Sequence, residues 1–213
     1  MTEELLVLGA GGHGKVVADA AMEMGYWSSI GFVDDRCGLL QQVLGLPMVG
    51  QLSDLKSLRA QWSAAAVAIG DARRRLEVLD IIEDLGFDRP IIAHPSAVIS
   101  RFATVAAGTV VFAQAVINAG AEIGAGCIVN TGATIDHDCR LGEGVHVCPG
   151  ANLAGDVTVG ACSWIGIGAM VRQGISIGRD VLIGAGSVVV DNLPDGITVY
   201  GVPARQRPAS ERD

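Results

Sequence analysis

The chain has 213 residues, half of them hydrophobic but only 4% aromatic, with 29 glycines and a formal net charge of −8. That acidity argues against nucleic acid or an anionic membrane as the main partner, and no apolar run approaches the ~18–20 residues of a spanning helix, although mean hydropathy is +0.42. The acidic start Met1-Thr2-Glu3-Glu4 lacks the basic region of a signal peptide, and five cysteines without a C-x-x-C pair signal neither a disulfide framework nor a zinc site. These features read as a soluble, cytoplasmic, metal-free protein of one large or two modest domains.

The first part of the chain alternates strand and helix signals. Leu5–Leu8 is a short apolar strand, Gly9-Ala10-Gly11-Gly12-His13-Gly14 a turn, and Lys15–Met24 carries helical spacing through Val16, Val17, Ala20, Ala21 and Met24. Ile30–Val33 reads as a second strand ending in Asp34-Asp35. A loop with Gly45-Leu46-Pro47 leads to a helix from about Ser53, an N-cap residue, to Gln61. Ala65–Ile69 is a third strand, 73–85 a helix, and Pro90–Ala93 a fourth strand that leads directly into a region of different rhythm. Such alternation predicts a small parallel α/β sheet with a ligand crevice at the strand carboxyl ends.

From Ile99 to Val189 every sixth residue is Ile, Val or Leu, without a slip or insertion, and small or β-branched residues fill most positions four further on. A fixed short period means stacked units that share a core, and six is neither the helical nor the plain strand period. The pattern fits a short strand plus a corner. Gly124, Gly142, Gly160, Gly166, Gly178 and Gly184 directly follow the inward residue, where glycine would suit a sharply turned backbone. The expected division is residues 1–93 as the α/β domain, 94–190 as the coils, and 191–213 as a loop and tail whose last residues are disordered.

Two stretches carry chemistry. Gly9, Gly11 and Gly14 meet G-x-G-x-x-G between strand and helix, with Asp34 twenty residues on, which taken alone predicts a dinucleotide site. A half-sized sheet suits a sugar-bearing nucleoside diphosphate better than NAD, with His13 near phosphate and Asp34 or Asp35 at the nucleoside end. The second stretch is Asn130–Cys139. His137 should sit outward at a corner, flanked by Asp136 and Asp138, with Ala119 and Gly155 one coil away leaving space around it. An imidazole beside a carboxylate is what a general base needs. His146, with Trp164 one coil above, is placed either to meet a substrate carbonyl or to pack in a subunit interface. Cys127 and Cys139 fall in small inward slots and read as core.

These residues together resemble the sialic acid O-acetyltransferase family of hexapeptide-repeat sugar acyltransferases. Within it they are most similar to the bacillosamine-pathway N-acetyltransferases acting on UDP-linked 4-amino sugars. The resemblance is carried by 9–15, 32–35, 68–71, 94–97, 130–138 and 201–204. It implies a left-handed parallel β-helix after a Rossmann-like domain, and a homotrimer binding acetyl-CoA along the coils between adjacent subunits. By that likeness Gly11, Gly12, His13, Asp34 and Asp35 hold the nucleotide. Asn130 and Asp136 face the sugar, His137 is the base and Asp138 its partner. His146 would meet the acetyl carbonyl, Gly155, Ile167, Gly168, Ala185 and Gly186 would line the pantetheine arm, and Arg205 would pair with CoA phosphate. Asp71, where relatives often carry Asn, and Asp rather than Glu at 136 and 138 depart from the pattern. Alternatives left open are a GDP-linked amino sugar, a hydroxyl acceptor, and a non-enzymatic trimeric scaffold that binds nucleotide sugar. A carbonic anhydrase would need three histidine ligands near the coils, where His94 precedes the first repeat.

Overall fold

The computed structural model describes residues 3–38 and 41–206. The expected disorder of the last residues concerns positions beyond 206 and lies outside the described residues. β1 (Glu3–Leu8) and β2 (Trp27–Val33) pair in parallel around α1 (Gly12–Met24). A hairpin of β3 (Gln42–Val43) and β4 (Leu46–Gly50) then extends the sheet beyond β2. The segment around Gly45-Leu46-Pro47 is therefore a turn and a strand, not only a loop. The left-handed backbone at Leu44 and Gly45 makes that turn.

A 3₁₀ turn at Leu52–Asp54 precedes α2 (Leu55–Leu58), capped by Gln51 and Asp54 rather than by Ser53. β5 (Ala64–Val67) pairs on the far side of β1, giving the sheet order β3-β4-β2-β1-β5, and α3 (Ala72–Asp84) comes next. The chain leaves β1 toward β2 but returns on its other side at β5, so the switch point lies between the Gly9 and Ile69 loops. β1 is buried on both faces, as a central parallel strand must be.

β6 (Ile92–Ala93) pairs with Val110–Val111, so this strand is a rung of the coil and not a fourth strand of the α/β sheet. Sixteen two-residue strands succeed it at six-residue spacing, from β7 (Val98–Ile99) to β22 (Val188–Val189). Each pairs in parallel with a strand one coil away, as Ile117 with Ile135 and Ile135 with Leu153. The inward aliphatics from Val111 to Val189 are at most 4% exposed and form one continuous core with Cys127 and Cys139. The period breaks after Val189, yet β23 (Thr198–Tyr200) still completes a rung against Leu182–Ile183, and β24 (Arg205–Gln206) folds back antiparallel on it.

The α/β unit sits directly on this coil. Val17, Ala18 and Ala21 of α1 share a buried cluster with Ile92, Val110, Phe112 and Ile128, which point outward from the eight-stranded coil sheet. On the other face of the α/β sheet α3 supplies Val78, Leu79 and Ile82, and its Leu76 and Leu79 rest against the corner glycines Gly108, Gly126 and Gly144.

Candidate active site

The glycine loop has three different jobs. Gly9 adopts φ +112°, and a Cβ on Gly14 would run into the Gly9 carbonyl, so both must be glycine. Gly11 and Gly12 face open space, and the first turn of α1 has neither a side-chain cap nor an acidic residue. Its unpaired N–H groups are suited to an anion. Asp34 is largely spent: it accepts from the Ala10 N–H at 2.8 Å and from both the Arg36 Nε at 2.8 Å and Nη2 at 2.9 Å. The Arg36 hydrogen bonds hold this carboxyl well below the usual range. Asp34 therefore braces the loop, and Asp35 beside it is exposed. Both line a cavity of about 230 Å³ with Gly9, Ile69 and Arg74 at the switch point. A larger cavity of about 570 Å³ opens across the same loop, between Gly70–Arg73 and Trp164 and Leu182.

His13 turns onto the coil. Its ring stands edge-on to Phe112 with centroids 5.5 Å apart, and Nε2 is buried without a partner. Burial, aided by the Arg75 charge, pushes its pKa down to about 4, so it offers phosphate a neutral N–H at most. His146 is buried too, 8% exposed, with its ring 4.1 Å from that of Trp164. Burial first, then Arg75 and His13, lower its pKa to about 3.

The neighbours of His146 define its tautomer. Asn130 Oδ1 accepts from the Thr131 N–H at 2.9 Å, which aims Asn130 Nδ2 at His146 Nε2, 3.2 Å away. Nε2 is thus the acceptor and the unpartnered Nδ1 carries the proton. The half-exposed carboxamide of Asn130, expected to face sugar, thus also orients an imidazole.

His137 is the exposed imidazole, at the corner between the six-stranded and five-stranded coil sheets. Its Nδ1 donates to Asp138 Oδ2 at 2.9 Å, leaving Nε2 with a free lone pair. Asp138 raises the imidazole pKa through that bond, with further contributions from Asp136 and Asp156. Asp136 does not reach the ring. It accepts from the His137 N–H at 2.8 Å and from Asn118 Nδ2 at 2.9 Å. Gly155 is not open space, because the imidazole lies over it and any Cβ there would collide with the ring.

At the next corner Ile167 is 60% exposed, and Gly168, Ala185 and Gly186 leave the adjacent surface low and open. Arg205 bonds to Asp191 at 3.3 Å and to the Ala204 carbonyl at 2.9 Å, so its charge is already shared. Among the described residues no cluster of His, Cys, Asp and Glu could hold a metal, and no helix is long and apolar enough to cross a membrane.

Sequence reading missed Asn118, Arg74 and above all Arg75, which is 1% exposed. Its signal was present: Arg75 falls in helical register with Val78, Leu79 and Ile82 on the buried face of α3.

Two family models match, the PglD N-terminal domain over residues 4–82 and the bacterial transferase hexapeptide (six repeats) over 156–191. No curated protein sequence matches the chain. Among solved structures, the acetyltransferase domain of PglB from Neisseria gonorrhoeae, in complex with acetyl coenzyme A, is 44% identical with a TM-score of 0.94, covering 97% of this chain and 100% of that one. Perosamine N-acetyltransferase from Caulobacter crescentus, in complex with CoA and GDP-perosamine, is 40% identical with a TM-score of 0.93, covering 98% of each chain. WeeI from Acinetobacter baumannii is 27% identical with a TM-score of 0.88, covering 97% of this chain and 100% of its own. Identity at this level over essentially the whole length, with both halves of the fold in place, makes the chain a member of the hexapeptide-repeat family of acetyl-CoA-dependent sugar N-acetyltransferases.

Proposed function

We propose that this enzyme transfers the acetyl group of acetyl-CoA to the 4-amino group of a nucleotide-linked 4-amino-4,6-dideoxy sugar, UDP-linked in first preference, in bacterial glycan biosynthesis in the cytoplasm. The observation that carries the reading is the His137–Asp138 pair: an exposed imidazole with Nδ1 donated to a carboxylate and Nε2 free. The amine nitrogen bonds to the acetyl carbon as His137 Nε2 takes the proton it loses. The carbon–sulfur bond then breaks, and the same imidazole returns the proton to the departing thiolate. A backbone N–H, or His146 where adjacent subunits meet, would stabilise the negative charge that develops on the acetyl oxygen. No cysteine need act, since burial pushes the Cys127 and Cys148 thiols up to about 12.

His137 comes directly after a strand of the six-stranded sheet, whereas His146 lies on the eight-stranded one, under the α/β unit. That separation within one chain supports a homotrimer with each active site between adjacent subunits. Substrate sugar would enter from the crevice at Gly11, Gly12 and Asp35, and the pantetheine arm would run over Ile167, Gly168, Ala185 and Gly186. A GDP-linked sugar is the second reading, favoured by the 40% identical enzyme whose complex holds GDP-perosamine. Thiol release from acetyl-CoA, with UDP- and GDP-linked 4-amino-4,6-dideoxy sugars side by side, tests both. Release with the UDP sugar is expected. Release with the GDP sugar alone reverses the nucleotide preference, and silence with both overturns amine transfer.

A further inference from the structure

Arg75 is a buried cation whose hydrogen bonds all end on backbone. Nε donates to the Gly126 carbonyl at 2.7 Å, Nη2 to Gly144 at 2.7 Å, and Nη1 to Ile69 and Gly70 at 2.8 Å each. No carboxylate among the described residues forms an ion pair with it; Asp71 acts on it only through space. Burying a guanidinium this way is a costly route to stability, and an apolar side chain would serve packing better. What the planar fork does, and an apolar residue cannot, is fix several groups in one geometry.

Those groups belong to both halves of the molecule. Gly126 and Gly144 are stacked corners of successive coils, joined through the Gly144 N–H to Ala125 carbonyl bond. They stand two residues before the strands Ile128–Val129 and His146–Val147, so they set the level of His146 on the coil face. Ile69 and Gly70 form the loop after β5 that walls the switch-point crevice on one side and the larger cavity on the other. The same loop carries Asp71, the N-cap of α3, and leads to Arg74 in the crevice wall.

We propose that Arg75 is a positioning residue of the transfer reaction, holding the nucleotide-crevice loop at Ile69–Gly70 in register with the two coils that present His146. The inference rests on the transfer reading. It assigns to one side chain the distance between bound nucleotide and the coil-borne acyl site, on which the alignment of amine and thioester depends.

The test uses Arg75→Lys and Arg75→Met in the full chain. Lysine keeps the charge but not the fork, so one ammonium cannot reach both corners and the loop. Both variants are expected to raise KM for the nucleotide sugar by about tenfold or more while KM for acetyl-CoA stays within about twofold. Lysine should not rescue methionine. Equal changes in both KM values, or folded variants with unchanged KM for the sugar, overturn the proposal. So does failure of both variants to fold, because Arg75 would then serve stability alone. Calorimetric affinity for UDP and GDP alone is measured in parallel. Unchanged nucleotide affinity in both variants overturns the role of Arg75 at the crevice whether or not the wild-type protein releases thiol, whereas silence of the wild type alone counts against the transfer reading.

Discussion

At the residue scale, adjacency in sequence hides a division of labour between two carboxylates. Asp136 and Asp138 flank His137 symmetrically in the chain, but Asp136 is captured by Asn118 one coil below and by the His137 N–H. Asp138 occupies the left-handed corner position, φ 60°, and swings its carboxylate onto Nδ1. His137→Ala is expected to lower kcat by on the order of 10²–10⁴, read as steady-state thiol release. A fall under about tenfold would remove the base assignment. The pH dependence comes from the raised imidazole pKa. The base works only when neutral, so the acid limb of kcat/KM lies above the ordinary imidazole value, and Asp138→Asn moves that limb to lower pH while reducing kcat. The stability that this hydrogen bond adds runs the other way: fully present below the unfolded imidazole pKa, it is lost as pH rises through the raised one.

At the scale of the element, the coil uses glycine in two ways that the repeat pattern does not distinguish. The pattern assigns the corner to glycines directly after the inward residue, but Gly124, Gly142 and Gly160 do not have positive φ. They are small because coils stack there: a Cβ on Gly160 would lie 2.5 Å from the Arg179 nitrogen and the Gly178 carbonyl carbon. The turn is made two residues later, at left-handed positions that include Gly126, Gly132, Gly144 and Gly150 but also Gln114, Asp138, Asp156 and Cys162. Gly160→Ala is therefore expected to cost about 1–3 kcal/mol by overpacking. Gly150→Asn, at φ 64° with open space around it, should cost under about 1 kcal/mol because Asn tolerates that conformation. Thermal unfolding of the two variants against wild type checks the contrast, and an equal loss for both would refute it.

For the whole molecule, the question is what a single chain brings together. The crevice, His13, Asn130, His146 and Arg75 gather where the α/β unit meets the eight-stranded sheet, while His137 stands on another corner with Asp136, Asp138 and Asp156 around it. If each active site joins His137 of one subunit to His146 of its neighbour, two inactive variants should complement. Co-refolded His137→Ala and His146→Ala chains are expected to regain up to about a quarter of wild-type activity through correctly composed interfaces, in a particle about three times the 21.9 kDa chain mass. No recovery in a mixed trimer would place both imidazoles in sites built from one chain.

The architecture was legible in the sequence because its determinants are local. One aliphatic residue in six, facing a shared core, dictates a coil whatever lies beside it, and a strand, a glycine turn and a helix dictate the start of a parallel α/β unit. His137 with its two carboxylates was legible for the same reason. The docking of the two halves was not, because it is made by residues far apart in the chain. Arg75 reaches carbonyls 51 and 69 residues away, His13 folds onto Phe112, and Asn130 turns to His146 across one coil. No local period records which side of a triangular coil a neighbouring unit will cover. Only the tertiary structure decided that, through burial of apolar coil residues under α1 and the hydrogen-bond demands of one guanidinium.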